Sequence, residues 1–310
     1  MAETTAIEWC DSTFNPWTGC TKISPACDHC YAEGWAKRSG TVQWGNHPRR
    51  RTTHAYWRNP VKWQEHAVAF FAEHGRRRRV FCASLADVFD NQVDPKWRRD
   101  LFALIRACPD LDWLLLTKRP QNIIRLSLLA GGLPWNVALG TTVEDQPRAG
   151  LNLPHLLAAK SALSPLYAFV STEPLLGRLD LWPWLDPHQL YRSRLDWVIA
   201  GGESGSGARP MHVEWVRGLR DQCQQANTPF LFKQWGCWVT FYDRDIDDPD
   251  WRRAPFTDGQ MGSGATRYLN LAGGTGFHGE RVTAVRNVGK KAAGRLLDGV
   301  EHNGFARTAA

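Results

Sequence analysis

From Val80 onward the chain alternates short apolar runs with amphipathic stretches. The runs VFCASLADVF from Val80, DWLLLTKRP from Asp112, NVALGTTVED from Asn136, LYAFVSTEP from Leu166, DWVIAGGESG from Asp196 and PFLFKQWG from Pro229 begin 24 to 33 residues apart. That interval holds one strand and one crossover helix. The helices are legible too. DPKWRRDLFALIRAC opens with Asp94 as N-cap and Pro95 in the first turn, and HVEWVRGLRDQCQQA carries Val213, Val216, Leu219 and Cys223 at helical spacing. Near-continuous apolar strands alternating with helices imply a parallel sheet buried beneath helices. Six such runs and an early strand predict an α/β fold, a full or partial (β/α) TIM-like barrel with parallel strands over residues 1–238.

In such a barrel the residues just past each strand line the active face. Here they are polar throughout: Ser84 and Asp87; Thr117, Lys118 and Arg119; Thr141, Thr142 and Glu144; Ser171, Thr172 and Glu173; Glu203 and Ser204; Lys233 and Gln234. Some of these, such as Asp87 or Ser204, serve equally well as helix caps. After Trp238 the repeat ends. Residues 239–285 are rich in Asp, Gly and Arg without a clear period and read as a long excursion or lid, followed by a basic helix from about Gly289 to Leu297 that stops near Gly299. Together residues 239–310 read as an irregular C-terminal extension packed on the barrel. The Gly-Lys-Lys in that helix lacks the glycine-bounded loop of a phosphate-binding P-loop.

The net charge of +7 favours a polyanionic partner without establishing one. Its densest source is an insertion at about 41–79, irregular and basic from Gly45 to Arg79, where Arg49, Arg50, Arg51, Arg58 and Lys62 alternate with His47, His54, Tyr56, Trp57 and Trp63, followed by a run from Arg76 to Arg79. It reads either as a solvated insertion or, given its mixture of arginine and aromatics, as a phosphate-contacting surface. Most of the sixteen tryptophans, Trp97, Trp113, Trp197 and Trp215 among them, fall beside apolar runs and are assigned to the core. The start MAETTAIEWC has no basic segment leading into an apolar run, and no stretch approaches the roughly 18 apolar residues of a spanning helix. The chain therefore reads as cytoplasmic, in a reducing compartment, and its eight cysteines as thiols.

Three of those thiols stand together. WTGCTKISPACDHCY places Cys20, Cys27 and Cys30 within eleven residues, with Gly19 and Pro25 supplying tight backbone, and YAEGWAKRSG then reads as a short helix ended by Gly40. Three ligands are one short of a closed zinc site, which His29, His47, His54 or a later cysteine could complete in a zinc-stabilised nucleic-acid-binding protein. Three thiolates also suit an iron–sulfur cluster with one iron left open.

The segment TFNPWTGCTKISPACDHCYAE, with STEPLLG, GGESG, FKQWG and VGKKAAGRLLDG in order downstream, resembles a family of phage and prophage proteins grouped with the radical-SAM-like barrels. The spacing Cys-x6-Cys-x2-Cys is three residues longer than the commonest superfamily pattern, and His29 stands where an aromatic hydrocarbon ring is usual. The resemblance implies a radical S-adenosylmethionine enzyme of isomerase or lyase type. Cys20, Cys27 and Cys30 would ligate three irons of a [4Fe-4S] cluster, with S-adenosylmethionine on the fourth, and reduction by an external electron donor would yield a 5′-deoxyadenosyl radical. Thr142, Glu144, Glu173, Gly201 and Gly202 are then the candidates for binding S-adenosylmethionine. Lys118, Lys233 and Glu203 are the catalytic candidates, with Lys118, Arg119 and Lys233 facing an anionic substrate. The implied substrate is a nucleic acid or nucleotide, with DNA foremost, because some relatives act in thymidine hypermodification of phage DNA. A phage-encoded protein would do this in the host cytoplasm. A radical-type photoproduct repair lyase would share the cluster and differ in substrate.

Overall fold

A computed structural model describes residues 5–186, 188, 193–243, 265–276 and 279–306. Strands β1 (Ser12–Thr13) and β2 (Trp17–Thr18) precede helix α1 (Tyr31–Ser39). Strand β3 (Arg50–Arg51) pairs antiparallel with β2, and helices α2 (His54–Trp57), α3 (Asn59–Glu65) and α4 (Ala67–His74) follow. The repeat then runs β4 (Arg78–Cys82), α5 (Pro95–Ala107), β5 (Leu111–Thr117), α6 (Ile123–Leu129), β6 (Val137–Thr142), α7 (Gln146–Leu163) and β7 (Ala168–Thr172). It continues through α8 (Trp182–Leu185), β8 (Trp197–Gly201), α9 (Val213–Gln225) and β9 (Phe230–Gln234). Strands β10 (Trp238–Asp243), β11 (Thr266–Leu269) and β12 (Thr283–Asn287) and helix α10 (Lys290–Ala293) complete the chain.

Among the described residues, seven strands pair in the order β1-β4-β5-β6-β7-β8-β9, every neighbour parallel, and form a half-barrel. This is the partial form of the expected barrel. Alternation along each strand sorts side chains between two cores. Val80, Trp113, Leu139, Val170, Val198 and Phe232 face outward and join Leu101, Phe102, Ile105, Leu156, Val216 and Leu219 from the helices. Phe81, Leu114, Ala138, Phe169, Trp197, Ile199 and Leu231 face inward around Trp9. The Trp9 ring lies 4.5 Å from Phe81 and 6.1 Å from Phe169, so aromatic rings fill the lower part of the half-barrel and leave its strand ends open. Phe169 lies so close over β6 that a Cβ on Gly140 would come within 2.3 Å of its ring, which is why that strand carries glycine there.

The tryptophans assigned to the core are there: Trp113, Trp197 and Trp215 are buried, and Trp97 is partly buried against the outer core, 6.4 Å from the Trp17 ring. Two expectations for local structure change. The insertion after residue 41 is helical over α2, α3 and α4, where Thr53 caps the first of these through a bond accepted from the Tyr56 amide. The basic helix near the C-terminus is only α10, because Gly294 takes φ = 69° directly after it. In the extension, β10, β12 and β11 form an antiparallel sheet, and residues 244–264 and 277–278 of the expected excursion lie outside the described residues. The C-terminal segment returns along β9, with the Phe232 amide donating to the His302 carbonyl at 3.0 Å and Trp197 Nε1 to the Gly304 carbonyl at 2.7 Å. No helix among the described residues is long and apolar enough to cross a membrane.

Candidate functional site

The cysteine loop is laid across the open strand ends. Gly19 takes φ = 102° where the chain leaves β2, and its amide donates to Leu85 just beyond β4 at 3.1 Å. Pro25 opens a one-turn 3-10 helix through Cys27, and Cys30 is the N-cap residue of α1, which ends at Gly40 in the left-handed conformation as its sequence predicts. Four separate strand-end loops then tie this segment down. Tyr31 donates its hydroxyl to the Ser84 carbonyl at 2.6 Å beyond β4. Beyond β5, Arg119 donates to Cys20 Sγ at 3.5 Å and to the Thr21 carbonyl at 2.9 Å. Beyond β6, Glu144 accepts from the Ala26 amide at 3.2 Å and Arg148 donates to the Ile23 carbonyl at 2.7 Å. Beyond β8, Arg209 donates to the Pro25 carbonyl at 2.9 Å and to Asp28 at 3.1 Å.

Between the loop and the strand ends lies a cavity of about 430 Å³. Cys20, Cys27 and Cys30 all line it, together with Thr142, Glu173, Gly202, Glu203, Lys118 and Lys233 from the strand ends, over an apolar floor of Ile7, Trp9, Phe81 and Leu116. All eight cysteines are free thiols, Cys27 buried and Cys20 and Cys30 half-buried. Burial pushes the Cys20 thiol up to about 11, Asp87 adding to the rise and Arg119 opposing it.

Every acid lining the cavity already has a cationic partner. Glu173 accepts from Lys233 at 2.7 and 2.8 Å and from Gln234 at 2.8 Å. Asp87 accepts from Arg119 at 3.0 Å. Glu203 is bound by Arg209 at 2.6 and 2.8 Å and by His29 Nδ1 at 3.1 Å. Burial works to raise the Glu203 carboxyl, but the bonds from Arg209 and His29 outweigh it and hold it below the usual carboxylate range. By contrast Lys118 and Lys290, which also line the cavity, have no side-chain partner among the described residues, so the cavity presents unneutralised positive charge. Buried Gln234 adds an orphan: its Nε2 serves Glu173, while its Oε1 finds no donor.

Two of the sequence candidates stand apart from the lining. Glu144 holds the cysteine loop through Ala26, and Gly201 backs onto Glu173, whose Cγ would lie 3.4 Å from a Cβ at that position. Gly202 serves close packing, since a Cβ there would sit 2.0 Å from the Trp235 carbonyl. Arg119, expected to face substrate, is buried behind Cys20. The basic insertion is also largely spent on structure. Arg49 is 6% exposed and ion-paired with Asp90 at 2.6 Å, Arg50 donates to the Thr41 carbonyl, and Arg51 pairs with Asp100 beside the Trp57 ring. Arg76 pairs with Asp11 at the opposite end of the half-barrel. Sequence reading missed Arg209, a lone arginine in the loop GSGARP, whose role depends on two partners distant in the chain, Pro25 and Asp28, as well as on nearby Glu203.

Residues 4–306 match a family described as Protein of unknown function (DUF5131). The chain belongs to that DUF5131 family. No curated protein matches this DUF5131 chain. Among solved structures it is similar to a cysteine-to-serine mutant of spore photoproduct lyase at 12% identity and TM-score 0.41, covering 70% of this chain and 73% of that one. It is also similar to a double mutant of spore photoproduct lyase with bound AdoMet and dinucleoside spore photoproduct, at 12% identity and TM-score 0.40, covering 89% of this chain and 67% of that one. Both likenesses are distant and neither assigns a role to a residue of the DUF5131 chain.

Proposed function

We propose that this protein is a radical S-adenosylmethionine enzyme that holds a [4Fe-4S] cluster on Cys20, Cys27 and Cys30 and acts on an anionic, nucleotide-type substrate, with DNA the foremost candidate. The observation that carries this reading is the convergence of three free thiols on one polar cavity at the strand ends of a half-barrel. A single bound zinc would draw its sulfur ligands to about 2.3 Å from one point. Among the described residues no three Cys, His, Asp or Glu side chains gather in that way, whereas a cluster takes each thiolate on a different iron. The zinc reading is therefore not favoured.

When bound, the cluster with S-adenosylmethionine supplies one-electron cleavage of the sulfonium bond, with the electron from an external donor. The protein's part is to bind, orient and exclude water. In this reading the floor of Trp9, Phe81 and Leu116 gives adenine a flat apolar wall, and the Thr142 hydroxyl serves the ribose. Glu173 and the unpaired Oε1 of buried Gln234 receive the ammonium or a hydroxyl, since an unmet buried acceptor gains most from a ligand donor. Lys233 fixes the Glu173 carboxylate, and Glu203 with His29 and Arg209 borders the loop. Lys118 and Lys290 meet the anionic part of the substrate. Residues 1–238 would form the catalytic half-barrel and 239–310 an extension packed on it.

Anaerobic reconstitution with iron and sulfide, followed by dithionite and S-adenosylmethionine, should give a brown protein and 5′-deoxyadenosine. Absence of the chromophore, or product that survives Cys27→Ser, would end this reading.

A further inference from the structure

The three cysteine sulfurs are not equivalent. Among the described residues, Cys20 Sγ accepts a hydrogen bond from a cation, the Arg119 Nη1 at 3.5 Å, while the hydrogen-bond contact of Cys27 Sγ is with the Ser24 hydroxyl at 3.9 Å. Arg119 is 7% exposed, and its planar fork reaches three targets together: the Cys20 sulfur, the Asp87 carboxylate at 3.0 Å and the Thr21 carbonyl at 2.9 Å. Asp87 is fixed in its turn. It accepts from the Thr117 hydroxyl at 2.7 Å, the Phe89 amide at 2.9 Å and the Lys118 amide at 3.1 Å, so the pair is anchored to the end of β5 and to the loop after β4.

Building such a pair in a buried position costs desolvation, and the Cys20 loop does not need it for attachment alone. Arg49 already holds the neighbouring Thr21 hydroxyl at 2.7 Å, and Gly45 donates its amide to the Cys20 carbonyl at 2.9 Å. What Arg119 adds is a positive hydrogen-bond donor directed at a ligand sulfur. We infer that Arg119, held by Asp87, is a positioning residue that donates a charge-assisted hydrogen bond to the Cys20 thiolate and raises the reduction potential of the cluster. The inference rests on the proposal that these cysteines carry a cluster. Its physical basis is that the reduced cluster carries one more negative charge than the oxidised one, so a cationic donor at a ligand sulfur stabilises the reduced form more. Asp87 opposes the effect, and the two side chains must therefore act with opposite signs.

The test uses the full-length reconstituted protein, its iron content and a dithionite titration followed by electron paramagnetic resonance. Wild type, Arg119→Gln and Asp87→Asn are compared. Arg119→Gln should lower the midpoint potential, changing the reduced-to-oxidised ratio at a fixed ambient potential about tenfold, or about 59 mV for one electron. Asp87→Asn should move it the other way, because it removes the opposing charge and leaves the donor. A merely structural loosening would shift both variants in one direction or lower both iron contents. Equal potentials in all three proteins, or shifts of the same sign, overturn the inference. Should Arg119→Gln fail to retain iron, Arg119→Lys keeps the charge without the fork, and an unchanged or lowered potential in Asp87→Asn still overturns it. A wild-type protein that takes up no iron overturns the cluster proposal itself, which separates the two failures.

Discussion

Replacing Arg209 with alanine should loosen the cysteine loop without touching a cysteine. Arg209 gives Glu203 two side-chain bonds, at 2.8 and 2.6 Å, and reaches across to the Pro25 carbonyl at 2.9 Å and Asp28 at 3.1 Å. The Asp28 contact is at an exposed carboxylate and counts for little. The Glu203 contacts are different, because the Glu203 side chain is only 5% exposed. Removing one partner of a fully buried pair costs about 3–5 kcal/mol, an upper bound here because the Arg209 side chain is 28% exposed. Here the Arg209 backbone amide and His29 continue to donate to Glu203, which places the loss near the lower end, about 3 kcal/mol. For a chain of this size that is a fall of about 5 °C in Tm, read by calorimetry on the apoprotein. A thiol reagent should also label buried Cys27 faster. The sign of the pH dependence adds a check. The Glu203 carboxyl is held low in the fold, so its contribution is present above the unfolded carboxylate value and is lost as pH falls through the lower folded value. The gap between wild type and variant should narrow accordingly in acid. The double variant Arg209→Ala, Glu203→Gln should recover part of the loss by removing the stranded charge. A double variant no more stable than the single one, or a Tm change under about 1 °C, would refute the account.

Two further outcomes follow from local geometry. Gly202→Ala should destabilise by at least about 1–3 kcal/mol, visible as a lower denaturation midpoint, because its Cβ would meet the Trp235 carbonyl at 2.0 Å; an unchanged midpoint would show that the two strand-end loops separate freely. His212 accepts from the Glu214 amide through Nδ1 at 3.1 Å, which leaves its proton on Nε2 to donate to the Arg281 carbonyl at 2.7 Å, and burial lowers its proton affinity. That contribution is fully present above the ordinary histidine value of about 6.5 and is lost as pH falls through the lower folded value, so His212→Asn should flatten the stability profile below about pH 6.5, and an unaltered slope would count against it.

Local physics was written in the chain and read from it. Asp94 before Pro95 does cap α5, accepting from the Lys96 amide at 2.8 Å, and Gly40 does end α1 in the left-handed conformation, because both signals act within a few residues. The repeat of apolar runs gave the parallel sheet for a similar reason: alternation within one strand fixes which side chains are buried, whatever the neighbours are. It also placed the polar strand ends, and with them most of the cavity. The sequence did not determine how the charges divide between structure and site, because an arginine's job is set by what stands opposite it. Arg49 and Arg119 look like neighbours of Arg50 and Lys118 in the chain. In the fold they are buried against Asp90 and Asp87, while Lys118 and Lys290 line the cavity with no side-chain partner among the described residues. The clamp that Glu144, Arg148 and Arg209 place on the cysteine loop joins residues more than a hundred positions apart. Only closure of the strands into a half-barrel brings them within hydrogen-bonding reach.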